Sequence, residues 1–266
     1  MNSPLRLAVA QTRPVSGDVS LNTLEHLKLI SEAAHQKASL AVFPELSLTG
    51  YELGLASTLA FSQKDKRIEP FREAATEAAM TLVVGAPIRV GSRLYIGAFV
   101  ISPDGSVAVY TKRHLGAFSP SDSANGVVPP PEDTVFHRGE LDPTVWIDGD
   151  TAAVAICADV GHTSHARAAA QRGARYYLAS MFNITAEVDI AESRLKRAAV
   201  SNGMTVLMAN FTGVSGGLPA GGASAAWSGT CELLVQLDAD RVGLGIIEKG
   251  SSGWSGRAVR LPLATR

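Results

Sequence analysis

Compact apolar runs alternate with amphipathic segments in the first third of the chain. Leu5 to Ala10 and Leu40 to Phe43 are short and apolar, a pattern typical of buried strands. Between them, leucines recur near helical spacing after Asp18, a residue type that commonly caps a helix N-terminus. Pro70 to Met80 is rich in Ala and Glu and leads into the β-branched run Thr81 to Gly85. Strands that alternate with helices favour parallel connections, so the pattern predicts an α/β fold.

The middle of the chain adds an antiparallel pair and a long loop. Leu94 to Ile101 and Ser106 to Tyr110 flank a Ser-Pro-Asp-Gly turn sequence, which predicts a hairpin and therefore a mixed sheet system. Residues 116 to 143 are rich in Ser, Pro, Asp and Gly, which predicts a loop. Long loops inside compact domains are often functional.

The second half repeats the alternation of strand and helix. The predicted elements are Thr151 to Ile156, Ser164 to Gln171, Tyr176 to Ala179, Glu187 to Asn202 and Thr205 to Ala209. A glycine-rich loop is predicted from Gly213 to Gly222, and Leu233 to Leu237 with Val242 to Ile247 is predicted to form a closing hairpin. No linker or low-complexity segment interrupts the pattern, so we predict a single domain over residues 1–266.

The amino-acid composition limits which kinds of binding partner are expected. Of the 266 residues, 46% are hydrophobic and 18% are charged, which is enough for a large core. The formal net charge is -1 and the Lys and Arg residues are scattered, so neither a nucleic acid nor a membrane is a predicted partner. The N-terminus lacks a basic segment followed by a sustained apolar stretch, which predicts a cytoplasmic protein. The expected partner is a small molecule or another copy of the chain.

The cysteines and histidines leave a free thiol as the candidate chemistry. Cys157 and Cys231 are too few for a disulfide framework or a four-cysteine metal site. His162 and His165 lie close to Cys157, but no cluster of Cys, Asp or Glu completes a tetrahedral ligand set, so we predict no metal site. On its own, a free cysteine that ends a buried strand, as Cys157 does, is more often a small core residue. Cys231 lies where a strand begins, and we predict a structural role for it.

Three polar residues each follow an apolar strand at its carboxyl end, where α/β folds form their ligand crevices. They are Glu45, Lys112 and Cys157. If they meet in space, they supply a nucleophile, a carboxylate that takes and returns its proton, and a cation for a developing oxyanion. That set is complete for acyl transfer.

The segments around these three residues resemble the motifs of the nitrilase (carbon-nitrogen hydrolase) superfamily, amidase-like branch. They read Phe-Pro-Glu-Leu-Ser-Leu-Thr-Gly-Tyr at 43 to 51, Tyr-Thr-Lys-Arg-His-Leu at 110 to 115 and Ala-Ile-Cys-Ala-Asp at 155 to 159. They occur in the family's order, and the likeness covers nearly the whole chain. The resemblance implies a four-layer α-β-β-α sandwich, a homodimer or higher homo-oligomer, and hydrolysis of a small amide through a cysteine thioester. It implies no metal and no organic cofactor.

The resemblance also implies roles for individual residues. Cys157 would be the nucleophile, Glu45 the general base, and Lys112 the oxyanion stabiliser together with the backbone N–H of Ala158. The family's second glutamate is similar to Glu132, and Glu140 is the competitor. Further residues expected to line the substrate pocket are Tyr51, Ala158, Met181, Phe182 and Asn183.

The chain departs from the family pattern after the nucleophile. Gly161 and Ser164 stand where many amidase-like members have an arginine and a glutamate, so the usual cation for a carboxylate-bearing substrate is expected to be absent. This predicts a preference for a neutral small amide. Within the enzyme class the runner-up is a true nitrilase, which many relatives signal with Cys-Trp-Glu, although Ala158 and Asp159 argue against it. An N-carbamoyl amide hydrolase, and a catalytically silent fold that binds a metabolite or a protein, remain alternatives.

Overall fold

The computed structural model describes residues 4–261, which form fifteen strands and five helices. The strands of the first half are β1 (Leu5–Gln11), β2 (Leu40–Val42), β3 (Thr81–Val90), β4 (Arg93–Ile101) and β5 (Val107–Thr111). The strands of the second half are β6 (Val145–Ile147), β7 (Asp150–Ile156), β8 (Tyr176–Ser180), β9 (Thr205–Ala209), β10 (Thr212–Ser215), β11 (Leu218–Gly221), β12 (Ala225–Trp227), β13 (Leu233–Gln236), β14 (Gly243–Gly250) and β15 (Gly253–Arg260). The helices are α1 (Val19–His35), α2 (Ala56–Leu59), α3 (Glu69–Glu77), α4 (Thr163–Gln171) and α5 (Val188–Asn202).

Two mixed sheets carry most of these strands. The first has seven strands in the order β15-β14-β1-β2-β3-β4-β5, and the second has six in the order β13-β12-β9-β8-β7-β6. Strands β1, β2 and β3 are parallel at the centre of the first sheet, and β7, β8 and β9 are parallel at the centre of the second. Each sheet therefore has its own group of carboxyl ends at which loops can form a site.

Alternation along the strands divides the core into three apolar layers. Leu7 and Val9 of β1 point toward the second sheet, while Ala8 and Ala10 point toward α1 and α3. On the other sheet, Val154 joins the layer between the sheets and Ala153 faces α4 and α5. Helices thus cover the outer face of each sheet. This confirms the four-layer α-β-β-α sandwich.

Helix α1 forms where the leucine spacing predicts it, but it buries a different face. Leu21 and Leu24 are exposed, whereas the polar residues Asn22 and His26 are buried. His26 Nε2 lies 2.9 Å from Ser47 Oγ, and Asn22 Nδ2 donates to the Leu48 carbonyl over 3.1 Å. Because these partners satisfy the buried polar groups, the helix can hold the loop that follows β2.

The predicted closing hairpin is wrong. The segment Leu233 to Leu237 forms β13, which pairs with β12 in the second sheet, while Val242 to Ile247 falls in β14, which pairs with β1 in the first. The connection between them crosses from one sheet to the other, and the Gln11 amide holds it by donating to the carbonyls of Asp238 and Arg241. The true hairpin partner of β14 is β15.

Two smaller differences from the predicted elements bear on the site. The glycine-rich segment from Gly213 to Gly222 is a two-stranded hairpin, β10 with β11, rather than a loop. Within it, a Cβ at Gly216 would lie 2.7 Å from the carbonyl oxygen of Tyr51, so the hairpin packs directly against the segment after Glu45. Among residues 4–261, no helix has the length and apolar character that a membrane crossing requires.

Candidate active site

The loop after β2 carries Glu45 into the space between the two sheets. Its backbone N–H donates over 3.3 Å to the carbonyl of Met181, which follows β8 of the other sheet. Strand β3 passes so close to the loop that a Cβ at Gly85 would overlap the Pro44 carbonyl oxygen, so only glycine fits there. The Glu45 side chain is fully buried as a result.

Lys112 follows β5 and is the fully buried cation of the site. Its Nζ donates to Glu45 Oε1 and to Glu132 Oε1, each over 2.7 Å. Burial opposes the charge on Lys112, but the carboxylates of Glu45 and Glu132 outweigh it, and the pKa of the ammonium is raised above its usual value. Lys112 is therefore a cation at neutral pH.

Glu132 lies in a single helical turn within the long loop, and donors surround its carboxylate. Besides Lys112, the Tyr51 hydroxyl donates to Oε1 and the backbone N–H of Gly116 donates to Oε2, each over 2.7 Å. The competing Glu140 is exposed, although Gly139 beside it donates to the Lys112 carbonyl. Of the two candidates for the second glutamate, Glu132 is the one whose carboxylate binds Lys112.

Cys157 follows β7 in a strained backbone conformation. Its φ is +42°, a left-handed value that costs a non-glycine residue about 1–3 kcal/mol. The residue is partly exposed, and its Sγ donates a long hydrogen bond to the Phe182 carbonyl over 3.8 Å. Strain of this kind persists where the surrounding structure fixes the backbone, and here it presents a thiol at the end of a strand.

A buried carboxylate ties the nucleophile turn to the lysine loop. Asp159 Oδ2 accepts from the Ile156 N–H and the Tyr110 hydroxyl, over 3.0 and 2.7 Å. Its Oδ1 accepts from the N–H groups of Arg113 and His114, over 3.2 and 2.9 Å. Because Ile156 precedes Cys157 and Arg113 follows Lys112, this one carboxylate sets the spacing between thiol and ammonium.

The proton affinities of the site suit a base and a neutral thiol. Burial, partly offset by Lys112, raises the pKa of Glu45 to about 7. Burial and the nearby Glu45 charge raise the pKa of the Cys157 thiol well above its usual value. Glu45 Oε2 has no formed hydrogen bond among the described residues, although the Cys157 thiol is near enough to lower the Glu45 pKa. The arrangement places a neutral thiol beside a carboxylate able to take its proton near neutral pH.

A cavity of about 230 Å³ opens above these groups. Cys157 and Glu132 reach its surface, while Glu45 and Lys112 lie beneath it. The volume is below the range of roughly 300–1,000 Å³ typical of pockets for drug-sized ligands, so the cavity suits a small molecule.

Four of the five residues predicted to line the substrate pocket do line it: Tyr51, Ala158, Met181 and Asn183. The Phe182 ring does not line the cavity; it is fully buried against Tyr51 and Phe118. Past the end of β8 the chain is irregular, and Met181 and Asn183 border the cavity while the residue between them turns into the core.

Sequence reasoning missed one wall of the cavity, which helix α5 and the residue before it supply. The residues that line this wall are Glu187, Ile190, Ala191 and Arg194. Their spacing of three, four and seven residues puts them on one helical face, a signal visible in the sequence, but nothing in the sequence shows that this face borders the thiol. Position 161 carries no cation, as expected, but Arg194 of α5 places one in the wall of the cavity.

The histidines after the nucleophile pack together near the cavity. His162 stacks on His114 with a ring separation of 3.7 Å, and His114 Nδ1 lies 2.9 Å from Asp159 Oδ1. Within the described range 4–261, no group of three or more His, Cys, Asp or Glu side chains has the arrangement of a metal site. The histidines are thus placed to support the Asp159 network.

Comparison with known proteins identifies the family and the fold. The family model described as carbon-nitrogen hydrolase matches residues 6–249. A variant of the amidase from Nesterenkonia sp. AN1, of the nitrilase superfamily, superimposes with a TM-score of 0.82 at 26% identity, over 95% of this chain and 93% of that one.

Two further similarities concern reactivity and substrate type. A second structure of the Nesterenkonia amidase shows the acetamide moiety of fluoroacetamide covalently added at its active-site cysteine. It has a TM-score of 0.81 at 25% identity and covers 93% of this chain and 91% of that one. An (R)-stereoselective amidase from Pseudomonas sp. is 24% identical over 241 residues, which is 90% of this chain and 82% of the relative.

Proposed function

Since this chain belongs to the carbon-nitrogen hydrolase family of the nitrilase superfamily, we propose that it is a cysteine-dependent amidase that converts a small linear amide to an acid and ammonia. The observation that carries the proposal is the buried Lys112 ammonium between two carboxylates, beneath a small cavity that exposes the Cys157 thiol. Of the two cysteines, only Cys157 borders that cavity. The covalent adduct on the cysteine of the Nesterenkonia amidase supports the same assignment.

In the proposed acylation step, Cys157 Sγ attacks the amide carbon and its proton passes to Glu45. The carbonyl oxygen becomes an oxyanion, which the Lys112 ammonium and the Ala158 N–H stabilise. The C–N bond then breaks, and Glu45 returns the proton to the departing nitrogen, which leaves as ammonia. A thioester remains on the cysteine.

In the proposed deacylation step, Glu45 takes a proton from water as the water attacks the thioester carbon. Collapse of the second oxyanion breaks the C–S bond and releases the carboxylic acid, and Glu45 gives its proton to the departing sulfur, which restores the thiol. A group with a pKa of about 7 populates both its base and its acid form at neutral pH, so Glu45 can take up a proton in one step and return it in the next. Glu132 holds Lys112 in place throughout.

Ammonia release from a panel of substrates tests the proposal. The panel contains short aliphatic amides, nitriles and N-carbamoyl amino acids, and each is assayed with the wild type, Cys157→Ala and the matched control Cys231→Ala. We expect amide turnover in the wild type and the control, and none in Cys157→Ala. Faster turnover of nitriles or of N-carbamoyl amino acids would assign one of those activities instead. No turnover together with no alkylation of Cys157 by iodoacetamide would indicate a silent binding protein.

A further inference from the structure

A second cavity of about 350 Å³ opens beside the catalytic one, between α4 and α5. The two cavities share Val160 and Arg194 in their walls. Arg194 is therefore within reach of a molecule in either cavity.

The second cavity is lined by cations and by neutral groups, with no carboxylate. Its charged residues are Arg167, Arg194 and Arg197, and Thr163, Ser201 and Asn202 add polar groups. Among residues 4–261, none of these three guanidinium groups forms a hydrogen bond or an ion pair. By contrast, the nearby Arg172 and Arg175 are paired with Asp142 and Asp150. Arg194 interacts at longer range with the Glu187 carboxylate in the wall of the catalytic cavity, whereas Arg167 and Arg197 line a cavity that contains no carboxylate.

Arg194 lies directly over the nucleophile turn. A Cβ at Gly161 would be 3.6 Å from an Nη atom of Arg194, so the guanidinium packs on the turn that begins with Cys157. Because Gly161 has no side chain, the Arg194 guanidinium of α5 can lie against this turn.

The start of α4 adds to the positive potential. The nine-residue helix begins at Thr163, and His162, at the N-cap position, makes no side-chain hydrogen bond to the first-turn N–H groups. Those groups form the positive end of the helix dipole, and Thr163 lines the second cavity. The helix dipole and the three arginines both favour an anion in the second cavity.

Glu187 limits where an anion can sit. This carboxylate lines the catalytic cavity seven residues before Arg194, which along a helix is about 10 Å. It repels an anion at its own end of the wall and so directs one toward the arginines. A second anionic group on the substrate would be disfavoured.

We propose that the physiological amide carries one carboxylate at the end remote from the amide, and that the guanidinium of Arg194 binds it, with Arg167 and Arg197 extending the positive site. Guanidinium groups bind carboxylates with two parallel hydrogen bonds, which fixes both position and orientation. The inference rests on the proposed amidase function and reverses the preference for neutral amides expected from the sequence.

Succinamate and butyramide form the matched pair of probes, because they differ only in a terminal carboxylate against a methyl group. The measured quantity is the ratio of kcat/KM for succinamate to kcat/KM for butyramide. We expect the wild type to favour succinamate and Arg194→Gln to lower the ratio about tenfold, through KM for succinamate, since a hydrogen bond to a charged group is lost. Arg194→Lys should be intermediate, and the control Arg175→Gln should leave the ratio unchanged.

A wild type that prefers butyramide, or an Arg194→Gln variant with an unchanged ratio, would overturn the inference. If no amide is turned over, the proposed function fails, and titration calorimetry with Cys157→Ala tests the anion site by itself. Tighter binding of succinamate than of butyramide, lost in Cys157→Ala/Arg194→Gln, supports the site. Equal binding of the two probes contradicts it.

Discussion

Replacing Glu132 with glutamine keeps the shape of the side chain but breaks its hydrogen bonding. All three partners of the carboxylate are placed as donors: the Lys112 ammonium and the Tyr51 hydroxyl to one oxygen, and the Gly116 N–H to the other. A glutamine has only one acceptor oxygen, so its NH₂ must face either the ammonium or the Gly116 N–H. Neither orientation satisfies the site.

The expected loss of stability follows from the hydrogen bonds that Glu132 makes. A hydrogen bond to a charged group contributes about 1.5–3 kcal/mol, and a buried donor left without a partner costs a similar amount. We therefore expect Glu132→Gln to lower the free energy of unfolding by about 2–3 kcal/mol. The displaced Lys112 should lower kcat by roughly 10²–10³, the effect typical of losing one oxyanion donor.

The pH profile supplies a second readout for the same variant. The Glu132 charge contributes to the raised pKa of Glu45, after burial and against the effect of Lys112. Its removal should therefore shift the acid limb of kcat/KM to lower pH. Tyr51→Phe is the control, because it removes a single neutral donor to Glu132. It should lower the free energy of unfolding by only about 0.5–1.5 kcal/mol. An unchanged kcat with an unmoved acid limb in Glu132→Gln would refute the reasoning.

Three further predictions concern protonation and the spacing of the site. Because the pKa of Glu45 is about 7 and its base form is the active one, wild-type kcat/KM should rise with pH through that value, and a flat profile from about pH 5 to 9 would contradict the assignment. Burial lowers the pKa of His26 to about 4. The free energy of unfolding, measured with urea, should therefore fall by roughly 3 kcal/mol as the pH falls from 6.5 toward 4. His26→Gln should flatten that dependence, and an equally steep dependence would exclude His26 as its cause. Asp159→Asn should lower the free energy of unfolding by about 2–3 kcal/mol and slow the alkylation of Cys157, because one of the buried donors that Asp159 binds would then face an NH₂ group. Wild-type values for both quantities would show that the Asp159 contacts are unimportant.

The parts of the site that a local pattern determines were predictable from the sequence. Glu45, Lys112 and Cys157 each follow an apolar strand, and strands of this kind direct their carboxyl ends toward shared loops. Short motifs around these residues then identify the family, and the family model confirms it. The alternation of strands and helices likewise predicts most of the elements correctly.

The parts that depend on contacts between distant segments were not predictable in this way. Strands β13 and β14 are consecutive and separated by turn residues, yet they pair with different sheets because their partners lie elsewhere in the chain. Arg194 is 37 positions after Cys157 and reaches it only because α5 packs beside the nucleophile turn. The homo-oligomeric state and the cytoplasmic location stay predictions.

Trapping the acyl-enzyme tests the central claim most directly. Wild-type protein mixed with butyramide is quenched in acid during turnover, and its mass and peptide map are measured. The account predicts one butyryl group on the peptide that contains Cys157, and neither adduct nor ammonia with Cys157→Ala. Ammonia release that persists in Cys157→Ala, or an acyl group on another residue, would contradict the account.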